Sequence, residues 1–578
     1  METVEPIQEA APVKKNNPVG RIVLGILFLL PALFLCVSER LLPTISTLVM
    51  SLQKVSFLRP EREFIGLDNY TRVFGDGTFV GTLGSSLVSM IVRLLVIALI
   101  PLALAWATSR FGRPLRLGLR TVFSLPVAFF VPVAIAIAWV MALNPVSGLF
   151  NGATLLGEPG SARAVLLSID ALYLFGLASG LGLIVFLPIW RRPAGTPAPT
   201  FRETLKPVLT VWGIGILASI AWTTNTFTLN FVMTAGGPVN STQTLATWMY
   251  QFAFRTMNLG PAAVIASLIL LWAFVPGIIS GLTILLTRLR LNTVEARSIP
   301  DVADLRPAPK RNVLLPGIVL ALLLLLLMGA CLLGVLPFGW LIPQSFDGQA
   351  IGKLLEQIAP FRLFSNTFAP PVVSALLQIA IAYLAALSLG ALRPLGRHSE
   401  WILLLFSPWL FVTLLPLSLV NYLAVQKSGL LGTFAGSLPP FLLSIPVLYI
   451  LTLFFKGRAA QWQHAGAEEE PAEEKSFFKH FVLPSLPLAG VLLLLHVMAG
   501  WQALFWPMLV NAQADTFPLS VALMQIRAMY LPTDGMLAPA VILLVTPVCI
   551  FFFLCLAIAQ IFYLDRLVLY TEEPSKSK

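Results

Sequence analysis

The chain has 578 residues, 57% of them hydrophobic and 11% charged, with a formal net charge of +11 and a mean hydropathy of +0.85. Water cannot be the solvent for most of such a surface, which excludes a soluble globular protein. The Lys and Arg residues sit in short loops between apolar runs, where membrane topology accounts for them, so the charge does not point to nucleic acid.

Apolar runs of about twenty residues, the length of helix that crosses a bilayer core, recur along the chain. Twelve spans are predicted, at 22–49, 82–107, 122–143, 164–190, 208–231 and 262–286 in a first half, and at 314–342, 372–392, 401–423, 438–455, 482–509 and 537–563 in a second. Residues 1–21 read as a cytoplasmic tail leading into an anchor helix, because no small-residue cleavage site follows the first apolar run. Arg110, Arg113, Arg116 and Arg120, then Arg191, Arg192, Arg202 and Lys206, then the basic run from Arg288 to Arg311 all fall on the side of the two termini. The positive-inside bias therefore predicts both termini in the cytoplasm.

Residues 292–312 are polar, with Pro300, Pro307 and Pro309, and read as a cytoplasmic linker between two domains at 22–291 and 313–566, with a C-terminal tail at 567–578. Because each half starts inside, the expected fold is an all-α polytopic membrane protein of two parallel six-helix repeats, with room for a path along the pseudo-dyad. No loop is long enough for an enzyme domain. Gly348-Gln-Ala-Ile-Gly352-Lys353-Leu354 has the wrong spacing for a phosphate-binding loop and no Ser or Thr for Mg²⁺. The chain is expected to be no enzyme and to bind no cofactor; if transport runs on ATP, a separate partner uses it. Cys36, Cys331, Cys549 and Cys555 lie in apolar spans at no metal-ligand spacing, so no metal site is expected.

Several polar residues stand at membrane depth, where each must meet protein, water or ligand. Trp222, Asn225, Thr226 and Asn230 share one face at helical spacing, and Trp501 and Gln502 offer an indole and an amide from the second half. Aromatic faces and amides suit a sugar; helix-to-helix hydrogen bonding is the plainer reading, and both stand. Arg93 and Asp170, roughly 15 Å and 9 Å from the outer boundary at 1.5 Å per residue, are within reach of each other. They read as an intramembrane ion pair or as part of a solute path, and His496 as a hydrogen-bonded packing residue or a proton carrier.

Residues 64–70, Phe-Ile-Gly-Leu-Asp-Asn-Tyr, resemble the segment before the second helix of permeases in binding-protein-dependent sugar ABC importers. Residues 144–151 (Asn-Pro-Val-Ser-Gly-Leu-Phe-Asn), 231–238 (Phe-Val-Met-Thr-Ala-Gly-Gly-Pro), 241–245 and 250–254 follow in the order of the MalF-type subunit. Residues 481–487, 500–507 (Gly-Trp-Gln-Ala-Leu-Phe-Trp-Pro) and 516–520 are similar to the MalG-type partner. The resemblance implies two permease subunits fused in one chain of a bacterial inner membrane. It also implies two ABC ATPase subunits below, an extracytoplasmic solute-binding protein above, and a sugar or related polar solute as cargo. On the same basis Gly236, Gly237, Pro238, Asn240, Thr516 and Pro518 would face the binding protein. Phe201, Glu203, Leu205 and Pro207 in the first half, and Ala459, Ala460, Gly466, Leu483 and Pro484 in the second, would couple to the ATPase. Here the chain departs from the family: the loop at 191–206 is short, the second-half motif at 459–466 is worn, and an acidic run follows from Glu468 to Glu474. An ion-coupled secondary transporter using Arg93, Asp170 and His496, or a degenerate permease acting as a scaffold, is the alternative.

Overall fold

The computed structural model describes residues 18–57, 59–150, 154–190, 201–224, 226–293, 313–468, 477–529 and 535–571. Long apolar helices carry the architecture, since a helix satisfies its own backbone polar groups in lipid. In the first half, α1 (Pro18–Leu35) runs on through the π-helical turn Cys36–Leu41 into Leu42–Ser51. It is followed by α2 (Thr78–Thr108), α3 (Arg113–Phe129), α4 (Pro132–Ala142), α5 (Pro159–Phe186), α6 (Phe201–Thr223), α7 (Thr228–Thr234) and α8 (Leu259–Thr287). The second half holds α9 (Leu314–Leu341), α10 (Pro360–Leu387), α11 (Ile445–Glu468), α12 (Leu483–Trp501), α13 (Phe505–Val510) and α14 (Leu537–Phe562).

Among the described residues nine helices are long and apolar enough to cross a membrane, or ten if the bent pair α3–α4 is one span, against the twelve expected. The differences are local and have causes. The predicted span 122–143 bends by 73° between α3 and α4; Val131 precedes Pro132 and is held extended, at φ −117° and ψ 92°, which ends a helix. The predicted span 401–423 is a chain of short helical turns, Gly396–Ile402, Leu403–Phe406, Ser407–Trp409, Leu415–Leu417 and Ser418–Lys427, broken at 410–414, with Pro408 and Pro416 each inside a short turn on either side of the break. The predicted span 438–455 becomes helical only at Ile445.

The halves interlock. α1 packs on α10 of the second half, where Arg21 donates to the carbonyls of Leu392 and Ala391 at 2.7 and 2.8 Å and Ser388 Oγ donates to the Gly25 carbonyl at 2.7 Å. Further along, Arg40 lies over the Phe441 ring at 3.4 Å, and Glu39 accepts from the Leu442 amide at 2.8 Å. In return α9 lies on α2 and α5 of the first half, and Tyr173 donates to the Gly334 carbonyl at 2.8 Å. The closing helices cross too: α14 packs on α3, and α8 on the turn Ser407–Trp409.

Two small antiparallel ribbons complete the fold. β1 (Gln53–Ser56) pairs with β2 (Arg59–Phe64), and β3 (Leu289–Thr293) with β4 (Leu567–Thr571), from Leu289 opposite Thr571 to Thr293 opposite Leu567. The second ribbon thus orders Asn292 and Leu567, residues that the sequence places in a linker and a tail. β3 rests on α11 of the second half and β4 on the start of α6 in the first. The approach is close, because a Cβ at Gly457 in α11 would stand 2.2 Å from the Leu291 carbonyl.

Candidate functional site

The predicted fifth span leaves helical geometry after Thr223 and resumes as α7 at Thr228. Past this break the chain separates its polar from its aromatic side chains. At i, i+4 spacing Thr226 and Asn230 face α2 and α5, while Phe227 meets Phe505 of the second half, with Phe231 stacked on Phe227.

On the polar side, Ser85, Ser89 and Arg93 of α2, Arg163 and Asp170 of α5, and Thr226 and Asn230 line a cleft of about 40 Å³. Arg93 Nη2 donates to Asp170 Oδ1 at 2.5 Å, with side chains 9% and 23% exposed. The loop after α7 closes the cleft: Asn230 donates to the Thr242 carbonyl at 2.9 Å, the Thr234 and Thr242 hydroxyls meet at 2.6 Å, and Thr244 donates to the Thr226 carbonyl at 2.9 Å. The broken helix would otherwise leave these groups unpaired in an apolar surround. A cleft of this size is far below the ~300 Å³ at which small-molecule pockets begin. In this conformation the polar residues at the break bind the first half to itself.

On the aromatic side, Phe227 stacks on Phe231 with centroids 4.7 Å apart and meets the edge of Phe505, from α13, at 4.8 Å. Tyr250 joins Phe227, Phe231 and Phe505 at 5.5, 5.0 and 6.4 Å. Tyr422 of the second half meets Phe57 and Phe254 at 5.7 and 5.3 Å. These rings form a seam between the halves. Phe227 lies in the break between α6 and α7, and Phe505 begins α13 after the break that follows α12, so each half brings a ring to the seam at a helix break.

Of the residues expected to bind solute, Thr226 and Asn230 are together in the cleft. Trp222 is 60% exposed, and Asn225 lies outside the described residues. Trp501 is buried at 2% exposure, stacked with Phe368 and Phe552 at 6.2 and 5.9 Å, so it does not oppose Trp222 across a path. Gln502 caps the end of α12, half-buried. His496 is bonded through Nε2 to Ser444 at 2.9 Å and through Nδ1 to the Leu492 carbonyl at 3.0 Å, within the second half. Sequence reasoning missed Phe227, Phe231, Tyr250 and Phe505, although the i, i+4 pair Phe227 and Phe231 flanks the very polar run that drew notice.

No family model matches the chain. A probable ABC transporter permease of Bacillus subtilis (strain 168) is 25% identical over 269 residues, covering 43% of this chain and 91% of that protein. A probable ABC transporter permease of Brucella suis biovar 1 (strain 1330) is 28% identical over 272 residues, covering 42% and 90%. The permease protein of the lactose transport system of Rhizobium radiobacter is 23% identical over 240 residues, covering 39% and 87%. Its homologues are ABC transporter permeases. Nearly all of one such permease fits into about two-fifths of this chain, which agrees with two permease lengths joined in one polypeptide.

In permease terms the remaining residues divide by exposure. The turn after α7 holds Ala235, Gly236, Val239 and Asn240 at positive φ, of 52°, 94°, 48° and 56°. Val239 and Asn240 are exposed, while Gly237 and Pro238 are half-buried. At Gly236, φ of 94° is a conformation that side chains rarely adopt, and a Cβ there would also stand 2.0 Å from Gln243 Oε1 and displace that amide, so glycine suits the turn. Thr516 is half-buried and Pro518 buried. Pro518 is therefore no outer contact as the chain stands, because it leads into Leu519, whose amide donates to Thr367 Oγ1 at 2.8 Å.

At the other end, Phe201 begins α6, Glu203 and Leu205 are exposed, and Pro207 is buried. Ala459 is buried and Ala460 half-buried in α11, which also contains Gly466; Leu483 is exposed and Pro484 half-buried at the start of α12. The π-helical turn Phe478–Val482, just before α12, is held against α11, with Arg458 Nε donating to the His480 carbonyl at 3.1 Å and Trp462 against the His480 ring at 4.5 Å. The short loop at 191–200 and the acidic run beyond Glu468 lie outside the described residues.

Proposed function

We propose that this chain is the complete membrane permease of an ATP-driven, binding-protein-dependent importer, carrying a sugar or related polar solute across the cell membrane. The observation that carries the reading is the seam of Phe227, Tyr250 and Phe505, which joins the two halves at their matching helix breaks. A path along the pseudo-dyad has to part these rings. On this reading the seam would be the closed point of the path. The relatives named as ABC transporter permeases, one of them for lactose, support the same reading.

Two ATPase subunits would work from the cytoplasmic side, one against Glu203 and Leu205 and one around Ala460 and Leu483, with ATP bound by those subunits. The solute-binding protein would dock outside on the exposed Val239–Asn240 turn. Both termini would be cytoplasmic. An ion-coupled mechanism through Arg93, Asp170 and His496 is poorly supported, because His496 bonds to Ser444 and Leu492 and is absent from the lining of the Arg93 cleft. Affinity purification of the tagged chain from its native membrane tests the proposal. An ABC ATPase should co-purify in a two-to-one ratio, and recovery of the chain free of any ATPase would argue against it.

A further inference from the structure

We propose that the polar cleft of the first half is an oxyanion subsite and that the solute is acidic, bearing a carboxylate or sulfonate that enters beside Arg93. This rests on the permease reading and narrows its substrate class. Two guanidinium groups, Arg93 and Arg163, line the cleft against one carboxylate, Asp170, which leaves one positive charge without a counter-ion among the lining residues. Arg93 is nine-tenths buried and pairs with Asp170 through Nη2, yet its Nε has no hydrogen-bond partner. The buried hydroxyl of Ser241 has none either. Leaving a buried donor on a charged group unpaired is costly, and both orphans belong to residues lining the same space.

Arg163 is exposed at the rim and is held there by donating from Nε to the Ser241 carbonyl at 3.0 Å. It stands in the second turn of α5, a 28-residue helix whose N-terminal dipole end adds to the positive field. The volume of about 40 Å³ holds about three waters, or one carboxylate or sulfonate head, and no sugar ring. The charged head therefore enters the cleft and the rest of the solute stays outside it. A guanidinium also recognises oxyanions with directed, charge-assisted bonds that a neutral hydroxyl cannot match.

The test uses the full chain in lipid nanodiscs, with neither ATPase nor binding protein, and follows its thermal unfolding against added D-glucuronate, D-glucose or sodium sulfate. Glucuronate should raise the midpoint saturably and glucose, the same ring without the carboxylate, should not. Arg163→Gln should weaken the glucuronate half-saturation by about tenfold or more, with Arg163→Lys between the two. Arg93→Lys, which keeps the charge and removes the Nε donor, should weaken it as well. Equal responses to glucose and glucuronate, or unchanged glucuronate binding in both Arg163→Gln and Arg93→Lys, would overturn the proposal. So would sulfate alone reproducing the glucuronate response, since the cleft would then take free anions and not a solute. ATP-driven uptake is measured separately, so loss of this subsite would leave the importer reading standing.

Discussion

Replacing Arg93 with Ala strands the Asp170 carboxylate at membrane depth, and replacing both residues removes the problem along with the pair. Arg93→Ala should destabilise the chain by about 3 kcal/mol, the lower end for a broken buried pair, because the Asp170 side chain keeps 23% exposure. The double variant Arg93→Ala, Asp170→Ala should recover part of that loss in thermal unfolding. A second site-specific effect is expected at Gly236, where φ is 94° and a Cβ would collide with Gln243. Gly236→Ala should cost about 1–3 kcal/mol in the local turn. It should also weaken any response of the chain to a binding protein, read as loss of stimulated ATPase activity. Both positions were visible as residues: a charge at membrane depth and the first glycine of a Gly-Gly-Pro turn each announce a constraint. The partition of Thr226 and Asn230 from Phe227 and Phe231 was not, because it depends on where the helix breaks and on which neighbour fills each side.

Among elements, the matching breaks after α6 and between α12 and α13 place Phe227 against Phe505. A double-mutant cycle on Phe227→Ala and Phe505→Ala should show a coupling of about 0.5–1.5 kcal/mol in unfolding, the usual range for an edge-to-face pair. In liposomes the double variant should leak sugar without ATP, since the proposed closed point of the path is weakened; a tight double variant would place the closure elsewhere. The apolar runs revealed most helices, because run length sets whether a segment crosses a bilayer. They did not reveal the bend at Val131 or the broken turns around Pro408 and Pro416. A proline inside an apolar run is compatible with a kinked helix and with a broken one, and packing decides between them.

For the molecule as a whole, α1 on the second half and α9 on the first make each half incomplete without the other. Cleaving an inserted protease site within residues 294–312 should therefore leave two fragments that co-elute in mild detergent, whereas two self-contained bundles would separate. No span pattern could show this exchange, since a helix has the same hydropathy whichever neighbour it packs on. The all-α, many-span character was legible; the count of twelve and the interlock were not. The most direct measurement of the central claim is uptake of labelled sugar into proteoliposomes containing the chain, its co-purified ATPase and the secreted binding protein. Uptake that requires ATP and the binding protein and persists with a protonophore is the expected result. Uptake driven by an ion gradient without nucleotide would contradict the account.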